Sequence, residues 1–394
     1  MNTQESVLLP PLVEPAAELT QAEMERYSRH LIIPEVGMAG QLRLKNAKVL
    51  VIGAGGLGSP AMLYLAAAGV GRIGIIDDDV VETSNLQRQV IHTVADLGRT
   101  KAQSARDSIL DLNPGIDVVL HEVRLDRSNA LEIFAGYDVI LDGTDNFATR
   151  YLVNDAAAIL GKPYVWGSIL RFDGQVSVFW DKYGPNYRDL YPEAPPAGSV
   201  PSCAEGGVLG VLCAQIGSVM VNEAIKLITG IGQTLLGRVL IFNSLQMSWR
   251  ELRVRKDPDG EPITELMDYE AFCGVAPGAT VDAGHTVSAP ELAAMLQSRG
   301  QGPGDFELID VREPGEFEIV SIPGATLIPK GRILSGEALG ELPRDRDLVF
   351  HCKAGTRSAE VLQNLLDHGY TRVRHLDGGI LSWVREVEPE KPVY

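Results

Sequence analysis

The chain of 394 residues has four cysteines, Cys203, Cys213, Cys273 and Cys352, too few and too irregularly spaced for a disulfide framework. A reducing cytoplasm is the setting this predicts. Basic charge is also scarce: 35 Lys and Arg face 52 Asp and Glu, for a net charge of −17. Affinity for nucleic acid or anionic lipid comes from clustered cations, so neither is an expected partner. A local basic site can still hold a small phosphorylated ligand. Uninterrupted apolar runs of membrane-spanning length are missing, because Val208 to Ile228 is broken by Gln215, Asn222, Glu223 and Lys226. That stretch reads as a buried helix. No basic segment followed by an apolar run opens the chain, which argues against a targeting segment. Neither an internal repeat nor a low-complexity run is present.

The length favours two domains. Residues 1–19, rich in Pro and acidic residues, read as a loose tail. Thr20-Gln-Ala-Glu23 is a capping box predicting a helix through Met24, Tyr27 and Leu31. From Ala47 the pattern alternates: strands at Val49–Ile52, Ile73–Ile76, Asp117–Leu120 and Val139–Asp142, and helices at Leu57–Gly69, Thr100–Leu112 and Phe147–Leu160. This predicts an α/β, Rossmann-like doubly wound sheet over residues 20–255. Asp181 to Cys203, with five prolines, reads as a long surface loop. Gly237–Phe242 and Ser248–Val254 read as paired strands. Residues 256–284 read as a linker, and a second alternation over 285–394, with strands at Glu307–Val311 and Leu348–His351, reads as a small α/β domain.

Gly53-Ala-Gly55-Gly56-Leu-Gly58 joins a strand to a helix, where small residues let backbone amides approach a phosphate at the positive helix end. Asp77, at the end of the next strand, is placed to bond a ribose hydroxyl. So far a nicotinamide-dependent oxidoreductase is an equal reading. Arg88, Lys101 and Asp145 shift the balance: two cations and a carboxylate at the sheet's carboxyl edge suit a triphosphate with Mg²⁺, which hydride transfer does not need.

These segments closely resemble the MoeB/ThiF family, bacterial relatives of ubiquitin-activating enzymes, over roughly residues 20–255. The resemblance rests on Arg26-Tyr-Ser-Arg29, Gly53 to Gly58, Asp77-Asp-Asp79, Ser84-Asn85-Leu86-Gln87-Arg88-Gln89, Lys101 and Asp142-Gly-Thr-Asp145-Asn146. It implies ATP-dependent adenylation of the C-terminal carboxylate of a small ubiquitin-like protein ending in Gly-Gly. Gly56, Asp77, Asn85, Arg88 and Lys101 would then hold the nucleotide, Asp145 would bind Mg²⁺, and Arg29 would reach the triphosphate of the partner subunit in a homodimer. One departure stands out. The family's structural zinc uses two Cys-x-x-Cys pairs, whereas Asn186-Tyr-Arg-Asp189 takes the place of the first and Cys273 has no companion. No zinc is expected, and packing alone should hold that region.

His351-Cys352-Lys-Ala-Gly-Thr-Arg357-Ser358 follows an apolar strand and precedes a helix. Such a turn aims backbone amides at the sulfur and stabilises an anion there, making Cys352 a nucleophile candidate. Four residues separate it from Arg357, one fewer than in tyrosine-phosphatase loops, and the shorter cradle suits a terminal persulfide sulfur. With Asp310-Val-Arg-Glu313, Ile322-Pro-Gly-Ala325, Leu376-Asp-Gly-Gly379 and Trp383, residues 285–390 resemble the rhodanese family. Val320-Ser321 departs from the Gly-His of many members, with little effect expected. Cys213 reads as core and Cys273 as a linker residue without a role. Cys203, in Pro201-Ser-Cys-Ala-Glu205, sits where thioester-forming relatives carry a cysteine, and both a catalytic and a structural reading stand. The fusion implies that a Cys352 persulfide, loaded by a cysteine desulfurase or thiosulfate, delivers sulfur to the activated carboxylate. A non-catalytic carrier-binding scaffold is the further alternative.

Overall fold

A computed structural model describes residues 9–195, 206–273, 283–299 and 306–394. Cys203 therefore lies outside the described residues. The chain forms two compact units, Met1–Ala276 and Pro277–Tyr394.

The first unit is built on eight strands: β1 (Lys48–Ile52), β2 (Arg72–Ile76), β3 (Asp117–His121), β4 (Val139–Asp142), β5 (Tyr164–Leu170), β6 (Asp173–Phe179), β7 (Arg238–Asn243) and β8 (Ser248–Arg253). Their order is β3-β2-β1-β4-β5-β6-β7-β8. Pairings are parallel from β3 to β5 and antiparallel from β5 to β8. Because side chains alternate along a strand, Val49 and Val51 enter one core while Leu50 and Ile52 enter the other. Both faces of the central strands are thus covered, as parallel sheets require. The last strand, β8, carries Arg250, Glu251 and Arg253 on an exposed edge, which discourages pairing with another sheet.

Helix Gly58–Ala68 stops at Gly69, in the left-handed region at φ 82°. Helix Gly210–Thr229 is long and apolar enough to cross a membrane by length and composition, yet Leu212, Ile216, Met220, Ala224 and Leu227 bury it in the first core.

Four expectations need correction. The tail is ordered from residue 9: Leu9 and Val13 are buried in the first core, and the Leu12 amide donates to the Leu227 carbonyl at 3.0 Å. The predicted first helix breaks into Gln21–Arg26 and Ser28–Leu31. Tyr27 leaves helical geometry there, as its ring packs on Gly69 and its hydroxyl accepts from Asn113 Nδ2 at 2.9 Å. Within the proline-rich loop, Tyr187–Leu190 is a helical turn with Tyr187 buried. The linker is not free over its whole length. Tyr269–Phe272 is a helical turn, Tyr269 and Cys273 are buried in the second core, and Tyr269 Oη donates to Asp155 at 2.8 Å.

More than packing holds the region where the cysteine pairs are missing. Arg188 donates to both carboxylate oxygens of buried Asp155, at 2.9 and 2.8 Å, and its guanidinium lies over the rings of Tyr151 and Phe272. Asp189 accepts from the Asp257 amide at 2.8 Å, tying the two segments together.

The second unit is a five-stranded parallel sheet of β9 (Thr286–Val287), β10 (Phe306–Asp310), β11 (Ala325–Leu327), β12 (Asp347–His351) and β13 (Val373–Leu376), ordered β11-β10-β12-β13-β9. Its central strand β12, with Leu348 to His351 buried, leads directly into Cys352.

Candidate active sites

In the first sheet the strand order reverses between β1 and β4, and ligands bind such sheets at the carboxyl ends beside the reversal. A cleft of about 650 Å³ opens there. Gly53, Gly55 and Gly56 line it after β1, Asp77 and Asp79 after β2, and Asp145 and Asn146 after β4, with Asn85, Arg88 and Lys101 between.

The glycine loop is pinned on several sides. A Cβ on Gly58 would stand 1.9 Å from the Gly53 carbonyl oxygen, and one on Gly56 would stand 2.8 Å from Cys213 Sγ. Cys213 is thus a core residue that also seats the loop. Asp77 lines the cleft and braces the glycine loop: its Oδ2 accepts from the Ala54 amide at 2.7 Å and its Oδ1 from the Asp79 amide at 2.9 Å. Burial pushes the Asp77 carboxyl up, and Lys101 with the two amides opposes this. Lys101 opens helix Lys101–Leu112, is buried, and pairs with Asp79 at 2.7 Å.

His92 is a residue the sequence reading passed over. Its Nε2 lies 3.0 Å from the Ala54 carbonyl oxygen and its Nδ1 2.8 Å from Ser104 Oγ. A carbonyl only accepts, so Nε2 carries the proton. Burial lowers the pKa of His92, keeping the ring neutral. The Ala54 peptide is thereby held at both ends, by Asp77 and His92. A single histidine in a turn has no sequence signal for that role. Arg150 was also missed: one turn beyond Asn146, it lines the cleft and donates to the Thr144 carbonyl at 3.0 Å. Its position after a capping asparagine was the available signal.

Asp142 ends β4 fully buried, with Oδ1 accepting from the Thr144 amide and hydroxyl. That turn sets Asp145 exposed at the cleft. Gly58, Ser84, Leu86 and Gln87 do not line the cleft; they support it, as in the bond from Arg88 Nη1 to the Ser84 carbonyl at 2.8 Å. Arg29 is exposed on its short helix and is not a cleft residue of this chain.

In the second unit Cys352 is only 1 % exposed. Its Sγ receives the Gly355 amide at 3.1 Å and lies 3.6 Å from Ser358 Oγ. Gly355, at φ 98°, turns the chain into helix Thr356–Asp367. The amides of Ile380 and Leu381 donate to the Cys352 and Lys353 carbonyls at 2.8 and 3.1 Å. A Cβ on Gly379 would come within 2.5 Å of both carbonyl oxygens, which explains the glycine that opens helix Gly379–Glu386. Arg357 donates to both oxygens of Glu316 at 2.7 Å. Burial alone would raise the Glu316 carboxyl, but Arg357, the Glu313 amide and Tyr394 outweigh it and hold it below the usual carboxylate range. Beside this loop, buried Arg312 forks onto Asp310 and donates to the Val320 carbonyl at 2.7 Å, so position 320 serves through its backbone.

Among the described residues no group of three or more His, Cys, Asp and Glu is arranged to hold a metal ion. The first site offers the exposed carboxylates of Asp78, Asp79, Glu82 and Asp145 beside Arg88 and Lys101, and Asp79 is already paired with Lys101. That donor set suits Mg²⁺, which takes one or two carboxylates and completes its shell with phosphate oxygens and water.

Comparison with known proteins assigns a family to each unit. The ThiF family matches residues 27–263 and the rhodanese-like domain matches residues 288–386. The "Probable adenylyltransferase/sulfurtransferase MoeZ" of Mycobacterium tuberculosis is 61% identical over 99% of this chain and its own whole length. The "Adenylyltransferase and sulfurtransferase MOCS3" of Drosophila grimshawi is 41% identical over 96% of this chain and 87% of its own. Among solved structures, Escherichia coli MccB with MccA-N7isoASN superposes with a TM-score of 0.56 at 22% identity, covering 60% of this chain and 74% of that one, a likeness of fold alone. The chain belongs to the ThiF family, joined to a rhodanese-like domain, and is an adenylyltransferase and sulfurtransferase.

Proposed function

We propose that this enzyme uses MgATP to adenylate the C-terminal Gly-Gly carboxylate of a small ubiquitin-like sulfur-carrier protein and then converts it to a thiocarboxylate. The carrying observation is the pair of strand-loop-helix turns, one opening on a cleft that Arg88, Lys101 and Arg150 line and one closing around Cys352. The pathways this serves are molybdenum cofactor, cysteine or related sulfur-metabolite biosynthesis. The setting is cytoplasmic and the working form a homodimer, with Arg29 serving the partner's cleft.

A carboxylate lacks an adequate leaving group, and attack on the α-phosphate of ATP supplies one, giving an acyl adenylate and pyrophosphate. The Gly53–Gly58 amides bind the phosphates, Arg88 and Lys101 stabilise charge as pyrophosphate departs, and Asp77 and Asn85 hold the nucleoside. Mg²⁺ held by Asp145 would neutralise phosphate charge. In the other unit the Cys352 thiolate attacks the outer sulfur of thiosulfate, releasing sulfite and leaving a persulfide; a desulfurase persulfide serves equally. The terminal persulfide sulfur attacks the acyl carbon, AMP leaves with the bonding pair, and an acyl disulfide results. A thiolate, for which Cys203 is the candidate, then attacks the Cys352 sulfur. It forms a disulfide and frees the thiocarboxylate, which carries away the electron pair.

The test is mass spectrometry of candidate carriers after incubation with enzyme, ATP and thiosulfate, looking for one oxygen replaced by sulfur. Cys352→Ala should lower thiocarboxylate formation roughly a thousandfold or more while pyrophosphate exchange continues. Asp145→Ala should block exchange and spare thiosulfate sulfurtransfer. Sulfur transfer persisting in Cys352→Ala sinks the reading.

A further inference from the structure

The sulfur site contains an anchor that the transfer steps above do not use. Tyr394 Oη accepts from Arg312 Nη1 at 2.6 Å and donates to Glu316 Oε1 at 2.9 Å. Its ring lies beneath Lys353, the neighbour of Cys352, with Nζ 4.7 Å from the centroid. One side chain thus joins the cysteine loop, the end of β10 through Arg312, and the helix that carries Glu316.

Glu316 matters because of what it grips. A guanidinium fork binds a planar or tetrahedral oxyanion with two parallel bonds, and the Glu316 carboxylate already occupies the Arg357 fork in that manner. Any anionic donor approaching Cys352 must compete with this internal anion. The competitor is itself held by the Glu313 amide at 2.9 Å and by the Tyr394 hydroxyl. Arg312, fully buried and forked onto Asp310, cannot swing away and so fixes the hydroxyl from behind.

We propose that Tyr394 is a positioning and specificity-determining residue of sulfur transfer: it fastens Glu316 onto Arg357 and so excludes small anions from Cys352. This rests on the sulfur-transfer reading. Protein-borne donors and acceptors, which contact more than the guanidinium, can draw Glu316 aside where a small free anion cannot.

The test is the alkylation rate of Cys352 in the full-length protein by iodoacetate and by neutral iodoacetamide, with the site read by peptide mass spectrometry. Tyr394→Phe keeps the ring and removes the hydroxyl, and should speed iodoacetate roughly 3- to 10-fold more than iodoacetamide. The KM for thiosulfate should fall by a similar factor, with the change in KM and not in kcat. Glu316→Gln, which leaves the tyrosine in place, should shift the reagent ratio at least as far, and the double variant no further. Equal acceleration of both reagents, an unchanged ratio, or additive effects of the two substitutions would overturn the proposal. A shifted ratio in a protein without thiosulfate sulfurtransfer would instead remove the sulfur-transfer reading and leave the clamp standing.

Discussion

The loops Gly53–Gly58 and Cys352–Arg357 solve one problem in opposite ways. Both join a buried parallel strand to a helix and present backbone amides to negative charge. The first faces an open cleft of about 650 Å³ whose lining includes Arg88, Lys101 and Arg150, whereas the second wraps a sulfur that is 1 % exposed. The contrast follows from where the anion comes from. A triphosphate arrives from solvent and needs room. The sulfur anion belongs to the chain, so the loop can close on it and exclude competitors.

Substitutions at the seats of the two loops separate them most sharply. Gly58→Ala forces a Cβ against the Gly53 carbonyl, and Gly379→Ala does the same to Cys352 and Lys353. The first should cost roughly a hundredfold in pyrophosphate exchange and the second roughly a hundredfold in sulfur transfer, each sparing the other activity. Loss of both activities together would mean that the loops are not independent. A smaller effect is expected at His92. His92→Ala leaves the Ala54 carbonyl without its donor, a cost of about 1–3 kcal/mol, so the KM for ATP should rise roughly tenfold, with partial recovery in His92→Gln. Thiosulfate turnover that fell in parallel would show general unfolding instead.

The smallest effect concerns acid. His351, buried beside Asp310 and Arg312, is pushed down to about 4 from 6.5, chiefly by burial, with Asp310 opposing. Between those values the unfolded chain binds the proton and the folded one does not. Stability is therefore intact above pH 6.5 and declines as pH falls toward 4. Hydrogen exchange should show faster opening of residues 306–394 over that range, and much less of this dependence in His351→Asn. Equal acid sensitivity of both units would argue against His351 as the source.

Much of this was readable before any coordinates. The strands β1 to β4 and the helices Gly58–Ala68, Lys101–Leu112 and Phe147–Ile159 followed from short apolar runs, because a buried parallel strand has few other ways to be written. The cysteine loop and the glycine loop were equally legible, since their spacing is the chemistry. What escaped were residues whose partners are remote in sequence. Leu9 and Val13 looked like tail until the Gly210–Thr229 helix supplied a surface to cover. Tyr269 looked like linker until Asp155 supplied an acceptor. Among the strands, β5 and β6 carried too little periodic contrast to stand out, although their pairing turns the sheet antiparallel.

By itself, then, the sequence determined the two α/β frameworks and the places of the glycine loop and the cysteine loop, because local spacing dictates backbone direction at a strand-loop-helix turn. Only the tertiary structure decided how each loop is held: Ala54 between Asp77 and His92, and Arg357 beneath Glu316 and Tyr394. Those contacts span from 23 to 78 residues, and a hydrogen bond between such distant groups exists only once the sheets have brought them together.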